Sequence, residues 1–170
     1  MGDHRLIIMR HGKSDWSEAG QADFDRPLAR RGARDVPRMA AWLAENSLVP
    51  DRIIASPALR ARQTAEAVAM EIGINADDIK WDERIYANSL TDLLGVVSDG
   101  CSGAACVMII GHNPGLEALL EHLSATPPSL NEEGKLLTTA ALAILDYGDS
   151  SIHGSKGCGK LLHLLRPADL

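Results

Sequence analysis

Four residues in this sequence have the types and settings needed to handle an anionic group: Arg10, His11, Arg60 and His112. Each lies just beyond a short apolar run. Leu6-Ile7-Ile8-Met9 precedes Arg10-His11-Gly12, Ile53-Ile54-Ala55 precedes Ser56-Pro57 and Arg60, and Ala104 to Ile110 precedes Gly111-His112. Guanidinium groups present a planar fork of donors that suits the oxygens of a phosphate. A histidine among such cations is held neutral, because nearby like charge lowers its pKa. A neutral imidazole is a competent nucleophile toward phosphorus. A second histidine could donate to the transferring group and stabilise its charge.

Taken singly, each of the four has a plainer reading. An Arg-His-Gly tripeptide arises by chance, Arg60 could be a surface helix arginine, and His112 could be a histidine satisfied at a turn. Two histidines could also hold a metal. Against that, no nearby His/Asp/Glu spacing resembles a ligand set, and two arginines would repel a dication. His4, His122, His153 and His163 have no partner pattern and read as structural or solvated. No metal and no cofactor is expected.

The elements that must position these residues follow from pattern. Residues 4–10 are apolar without alternation, as in a central parallel strand. Residues 12–29 have no period and contain Gly12, Gly20 and Pro27, which predicts a long loop with a function, closed by a turn at Asp25-Arg26-Pro27-Leu28. Val36, Met39, Ala40, Leu43 and Ala44 have helical spacing within residues 30–46. Pro37 interrupts that pattern, so the helix is expected to start near it, with proline in the first turn. Residues 52–55 read as a second strand. Ser56 is expected as N-cap and Pro57 as first residue of a helix ending before Gly73. Ile79 to Trp81 is a weak third strand, and Ser89 caps a helix from 90 to about 98. A strand to Ile110, a helix over 115–124, a loop over 125–137 and strands at 139–147 and 160–165 complete the chain. Alternating strands and helices argue for an α/β fold, a three-layer αβα sandwich around a mostly parallel central sheet. In such sheets ligands bind at the carboxyl ends of strands.

Composition bounds the rest. The 170 residues are 45% hydrophobic and 24% charged, which suits a single globular domain over residues 1–170. A net charge of −6 and six aromatic residues in all speak against nucleic acid or an anionic membrane as partner. No segment has the roughly 20 apolar residues of a membrane span, and the short apolar run Leu6 to Met9, preceded by Asp3, His4 and Arg5, does not resemble a secretory signal. Cys101, Cys106 and Cys158 are odd in number and form no CxxC pair, so reduced thiols and a cytoplasmic setting are expected. Oligomeric state is left open.

Three stretches taken in order, Met9-Arg10-His11-Gly12-Lys13-Ser14, Ser56-Pro57-Ala58-Leu59-Arg60-Ala61-Arg62-Gln63-Thr64-Ala65 and Gly111-His112-Asn113-Pro114-Gly115, resemble the histidine phosphatase superfamily, the phosphoglycerate-mutase-like fold. The small size, Asp25-Arg26-Pro27-Leu28 and the short segment after Trp81 resemble its SixA branch, the phosphohistidine phosphatases. The resemblance implies that His11 is the nucleophile that becomes phosphorylated. It implies that Arg10 and Arg60 bind the phosphoryl oxygens, that His112 stabilises the phosphoryl group, and that Ser14 bonds the phosphate or positions its loop. Mutase-type relatives carry an asparagine three positions after that serine, where this chain has Ser17. They also use a glutamate after the third strand as general acid, and Glu83 stands at the matching position. The alternative for Glu83 is a solvated carboxylate paired with Arg84 or Lys80.

The expected activity is therefore a metal-independent phosphatase working through a phosphohistidine on His11. A short chain without an insertion to close over a metabolite points to phosphohistidine of a protein as substrate. A phosphatase for small phosphoesters is the alternative within enzymes. A phospho-ligand binding module without turnover is the rival from outside them.

Overall fold

In a computed structural model, which describes residues 2–170, the chain folds around one six-stranded sheet. The elements in chain order are β1 (His4–Arg10), α1 (Arg30–Glu45), β2 (Arg52–Ala55), α2 (Leu59–Ile72), β3 (Lys80–Trp81), α3 (Glu83–Ala87), α4 (Leu90–Gly100), β4 (Cys106–Gly111), α5 (Gly115–Leu123), β5 (Leu142–Gly148) and β6 (Lys160–Leu165). The sheet order is β3-β2-β4-β1-β5-β6. Pairing is parallel from β3 to β1 and antiparallel on both sides of β5, so only β5 runs against the others. The three-layer α/β arrangement is the one the sequence pattern implies.

The central strands are apolar on both faces because both faces are covered. Leu6 and Ile8 of β1 pack with Ile85, Leu93, Val97, Leu116 and Leu120 from α3, α4 and α5. Ile7 and Met9 point the other way, against Val36, Met39 and Leu43 of α1 and Ala65 and Val68 of α2. Both clusters are fully buried, which fixes the strand register because a one-residue slip would exchange the two sets.

Two boundaries differ from the sequence expectation. α1 starts at Arg30, a full turn and more before Pro37, which lies inside the helix. An interior proline costs about 3 kcal/mol, but Val36, Met39 and Leu43 are fully buried, and each such side chain contributes roughly 1.5–3 kcal/mol. Burial outweighs the proline. The early turn is also anchored, since the Ala29 amide donates to the Lys13 carbonyl at 2.8 Å. At the second boundary, α2 begins at Leu59 with Ala58 at its N-cap, not at Pro57 with Ser56 as cap. Ser56 is occupied elsewhere, as described below. The last two strands begin where expected or slightly later: β5 starts at Leu142, because residues 138–141 turn beneath His11, with the Ala140 amide donating to the His11 carbonyl at 3.0 Å. Ser89 caps α4 as expected, accepting from the Asp92 amide.

What this fold does for the site is to align strand ends. Arg10 pairs in register with Gly111, and Ala55 with Ile110. The next backbone bonds continue the ladder: the His11 amide donates to Gly111 O and the Ser56 amide to Ile110 O, both at 3.0 Å. His11, Ser56 and His112 therefore leave the sheet side by side at its carboxyl edge. The loop after β1 is packed against α1 without clearance. A Cβ at Gly12 would sit 2.8 Å from Val36 Cγ2, and one at Gly32 would collide with the Lys13 carbonyl.

Candidate active site

His11 is buried at the end of β1, and its Nδ1 lies 2.7 Å from the Gly12 carbonyl. A carbonyl oxygen only accepts, so Nδ1 carries the hydrogen and the lone pair of the neutral ring is on Nε2. The His11 pKa is lowered to about 3, by burial first, and further by His112, Arg60 and Arg10, against the raising effect of the Gly12 bond. Gly12 is itself fixed by α2: its amide donates to Thr64 Oγ1 at 3.1 Å, and that hydroxyl donates to Arg60 O at 2.8 Å.

His112 lies beside His11, with ring centroids 5.1 Å apart. Its Nε2 is 2.7 Å from Ser56 Oγ, which also accepts from the Ala58 amide at 3.2 Å. Ser56 is fully buried, so its own hydrogen needs an acceptor, and His112 Nε2 is the acceptor within reach. That places the ring hydrogen of His112 on Nδ1, a buried atom with no hydrogen-bond partner. Burial, followed by the Arg60 charge, lowers the His112 pKa to about 4.

The two arginines are held from behind. Arg10 Nη1 donates to the Leu137 carbonyl at 3.0 Å, and Leu137 is bracketed in turn by Asn113 Nδ2 on its carbonyl and by Glu117 Oε2 on its amide, each at 2.8 Å. Arg60 donates from Nη1 to Asp23 O at 2.7 Å and from Nη2 to Asp23 Oδ2 at 3.0 Å. Both arginines have a buried Nε without a partner. Unpartnered buried atoms also occur at Arg5 and Asn88, so isolation alone does not mark a site. Here Arg10 Nε, Arg60 Nε and His112 Nδ1 are all donors, on residues whose charges act on His11. An anion with several oxygens would satisfy all three.

Ser14 is buried, and its hydroxyl accepts from Arg26 Nη1 at 2.6 Å. Arg26 also donates to Asp23 Oδ1 at 3.0 Å and stacks on Trp16, 3.5 Å from the ring centroid. Tyr86 donates its hydroxyl to Asp23 Oδ2 at 2.9 Å and sets its edge against His112, 5.6 Å between centroids. Asp23 is thus the knot of the long loop. Partial burial would raise its pKa, but bonds from Arg26, Tyr86 and Arg60 outweigh that and hold it at about 2. The sequence pattern gave no sign of Asp23 or Tyr86 because neither lies in a periodic segment; only the turn at Asp25 to Leu28 hinted that this loop is ordered.

Glu83 is not brought to the four. It is exposed at the first position of α3, and among the described residues it makes no hydrogen bond or ion pair. Arg84 pairs instead with Asp82 at 2.8 Å and Asp99 at 2.9 Å. The residue that α3 turns toward His112 is Tyr86. Among the described residues no three His, Cys, Asp or Glu side chains cluster as a metal site would need, and no helix is long and apolar enough to cross a membrane.

Both site histidines are expected to be neutral at pH 5.5, which imidazole nitrogen shifts in an NMR titration will read directly; a protonated ring on His11 at that pH contradicts the site as described. Stability follows with a fixed sign. The folded pKa values of about 3 and about 4 lie below the ordinary 6.5, so the unfolded chain binds more protons in between. Their contribution is whole above pH 6.5 and is lost as pH falls toward 3, so the denaturant midpoint at pH 5 should be below that at pH 7.

Comparison with known proteins gives the same direction. The sequence model of the histidine phosphatase superfamily (branch 1) matches residues 6–86. The phosphohistidine phosphatase SixA of Escherichia coli K12 is 30% identical over 158 residues, covering 86% of this chain and 87% of that protein. An uncharacterised protein of Mycobacterium tuberculosis H37Rv is also 30% identical, covering 91% of this chain and 96% of its own. Among solved structures, a candidate phosphohistidine phosphatase SixA from Agrobacterium tumefaciens superposes with a TM-score of 0.78 at 28% identity, covering 98% of this chain and 100% of that one. A protein histidine phosphatase SixA complexed with tungstate superposes with a TM-score of 0.73 at 26% identity, covering 97% and 98%.

Proposed function

Because the chain belongs to the histidine phosphatase superfamily, we propose that it is a phosphatase whose His11 takes the phosphoryl group, and that the group comes from phosphohistidine carried by a protein. The observation that carries the chemistry is the Nδ1 bond to the Gly12 carbonyl, which leaves the Nε2 lone pair for attack. Nε2 forms a bond to phosphorus in line with the bond that breaks. The leaving imidazole, protonated on its remote nitrogen, departs neutral. Arg10, Arg60 and the Nδ1 hydrogen of His112 hold the three equatorial oxygens, and Ser14 with Arg26 keeps the loop in place. Water then attacks phosphorus, the bond to Nε2 breaks, and inorganic phosphate leaves.

The substrate follows from proton supply. An alkoxide leaving group benefits from a general acid. Asp23 is pinned as carboxylate by Arg26 and Arg60, with a pKa of about 2, and Glu83 is exposed. Neither is a poised donor to a leaving oxygen, which favours a phosphoramidate over an ester. A protein substrate is further supported by Trp16, 70% exposed on the loop that covers the site, since exposed tryptophans act as interface anchors. The similarity to SixA proteins, named for phosphohistidine, points the same way.

The test is a substrate panel of phosphohistidine proteins against sugar and nucleotide phosphates. We expect kcat/KM to be highest for a phosphohistidine protein. A small ester preferred by orders of magnitude would replace this reading with that of a small-molecule phosphatase, and absence of turnover and phosphoenzyme on every substrate would leave a binding module.

A further inference from the structure

Next to the phosphoryl pocket runs an open groove of ≈ 810 Å³ whose basic residues are Arg10, Lys13, Arg31, Arg34, Arg38 and Lys135. Only two acidic residues, Asp35 and Glu133, line it. The chain as a whole has 17 basic and 23 acidic side chains, so the groove is strongly basic on an otherwise acidic protein. The arrangement comes from the fold. Arg31, Arg34 and Arg38 follow one another at helical spacing on the exposed face of α1, Lys13 comes from the loop after β1, and Lys135 comes from the segment before β5. Arg10, the proposed phosphate clamp, lines the groove's inner end.

The positive charge is not cancelled locally. Arg34 and Arg38 share a single carboxylate oxygen of the buried Asp35, at 3.2 and 3.3 Å, which leaves one cation in excess. Lys135 is paired with Glu133 at 3.0 Å. Arg31 and Lys13 have no carboxylate within ion-pair distance among the described residues. We infer that this groove docks an acidic polypeptide segment that flanks the phosphorylated residue of the substrate protein, so that recognition of the partner is electrostatic and separate from phosphoryl transfer. This rests on the phosphoprotein reading above and names the chemistry of that partner.

A small polyanion is the other occupant of compatible charge, and the surface suits it less. Small-molecule sites bury most of their ligand's surface. Here the cations stand in solvent: the side chains of Arg34, Arg38 and Lys135 are 66%, 44% and 61% exposed. Dispersed, half-solvated cations on an extended track contribute by steering and orienting a charged partner, and their effect fades with salt.

The test uses the triple variant Arg31→Gln/Arg34→Gln/Lys135→Gln, which keeps Arg38 as partner for the buried Asp35 and changes only exposed side chains. The probes are two fluorescent peptides around one histidine, one flanked by Asp and Glu and one by Ala and Ser, each unphosphorylated for binding and phosphorylated for turnover. Fluorescence anisotropy at low ionic strength should show the acidic peptide bound by the wild-type chain at least tenfold more tightly than by the variant. The advantage should vanish near 0.5 M salt, and hydrolysis of an aryl phosphate should be the same in both proteins. Equal affinity of the two proteins for the acidic peptide overturns the inference, as does displacement of that peptide by short-chain inorganic polyphosphate at far lower concentration than by unlabelled peptide. If the binding difference is found but neither phosphorylated peptide is hydrolysed, the groove stands and the phosphohistidine reading falls. If both are hydrolysed equally well and bound equally well, the reading stands and the groove falls.

Discussion

Replacing His11 with alanine should lower turnover by on the order of 10⁴-fold or more and should remove the acid-labile phosphoenzyme altogether. No other group takes over, because His112 is committed to Ser56 through Nε2 and presents a hydrogen, not a lone pair, at Nδ1. The protein should remain folded. The substitution leaves a small void at the sheet edge and deprives the Gly12 carbonyl of a donor, at a cost of about 1–3 kcal/mol. That is a fraction of the roughly 5–15 kcal/mol available to a domain, and the cores on either side of the sheet are untouched. Rapid quench with a ³²P-labelled substrate, alongside thermal unfolding, reads both halves. A labelled, folded His11→Ala protein would move the nucleophile to His112 and invert the proposed roles.

Arg60→Ala should lower kcat/KM by about 10²–10³-fold, the scale seen when one preorganised donor to transition-state charge is removed. The loss has two origins. Arg60 carries one of the buried, unpartnered donors that we propose meet the phosphoryl oxygens, and it ties Asp23, hence the loop over residues 12–29, to α2. Removing its charge also relieves both histidines of a repulsive neighbour, so the pKa values of His11 and His112 should rise in the variant. Arg60→Lys should recover little. An ammonium cannot donate to Asp23 O and Oδ2 and still present a third hydrogen in the guanidinium plane. Recovery of most of the activity by lysine would mean that charge alone matters at this position. Titration of His11 and His112 in the two variants separates loss of charge from loss of geometry.

Much of the frame could be read from pattern. Residues 6–9 and 104–110 are uniformly apolar, the pattern of a strand covered on both faces, which places them at the centre of a three-layer α/β fold. Polar residues directly after such strands must emerge at a sheet edge, and that argument singles out Arg10, His11 and His112 without any knowledge of strand order. Other features could not be read this way. Pro37 looked like a helix start because propensity is local, whereas the apolar face of α1 and the Lys13 carbonyl that anchors its first turn are tertiary. Ser56 looked like an N-cap for the same reason; its hydroxyl orients His112 instead, across 56 positions of chain.

The sequence by itself therefore determined the layers of the fold and the chemistry on offer: Arg10, His11 and His112 at strand ends and Arg60 in the first turn of the helix after another, a set suited to an anion. Both follow from properties of single segments, namely apolar period and residue type. Only the tertiary structure decided how those groups are oriented, which hydrogen each histidine carries, and which carboxylate secures Arg60. Asp23, Tyr86 and the basic track beside Arg10 are brought near one another only because β1, β2 and β4 end together and a loop without period packs at that edge. Contacts between segments far apart in the chain leave no local trace, so no reading of one segment at a time could have supplied them.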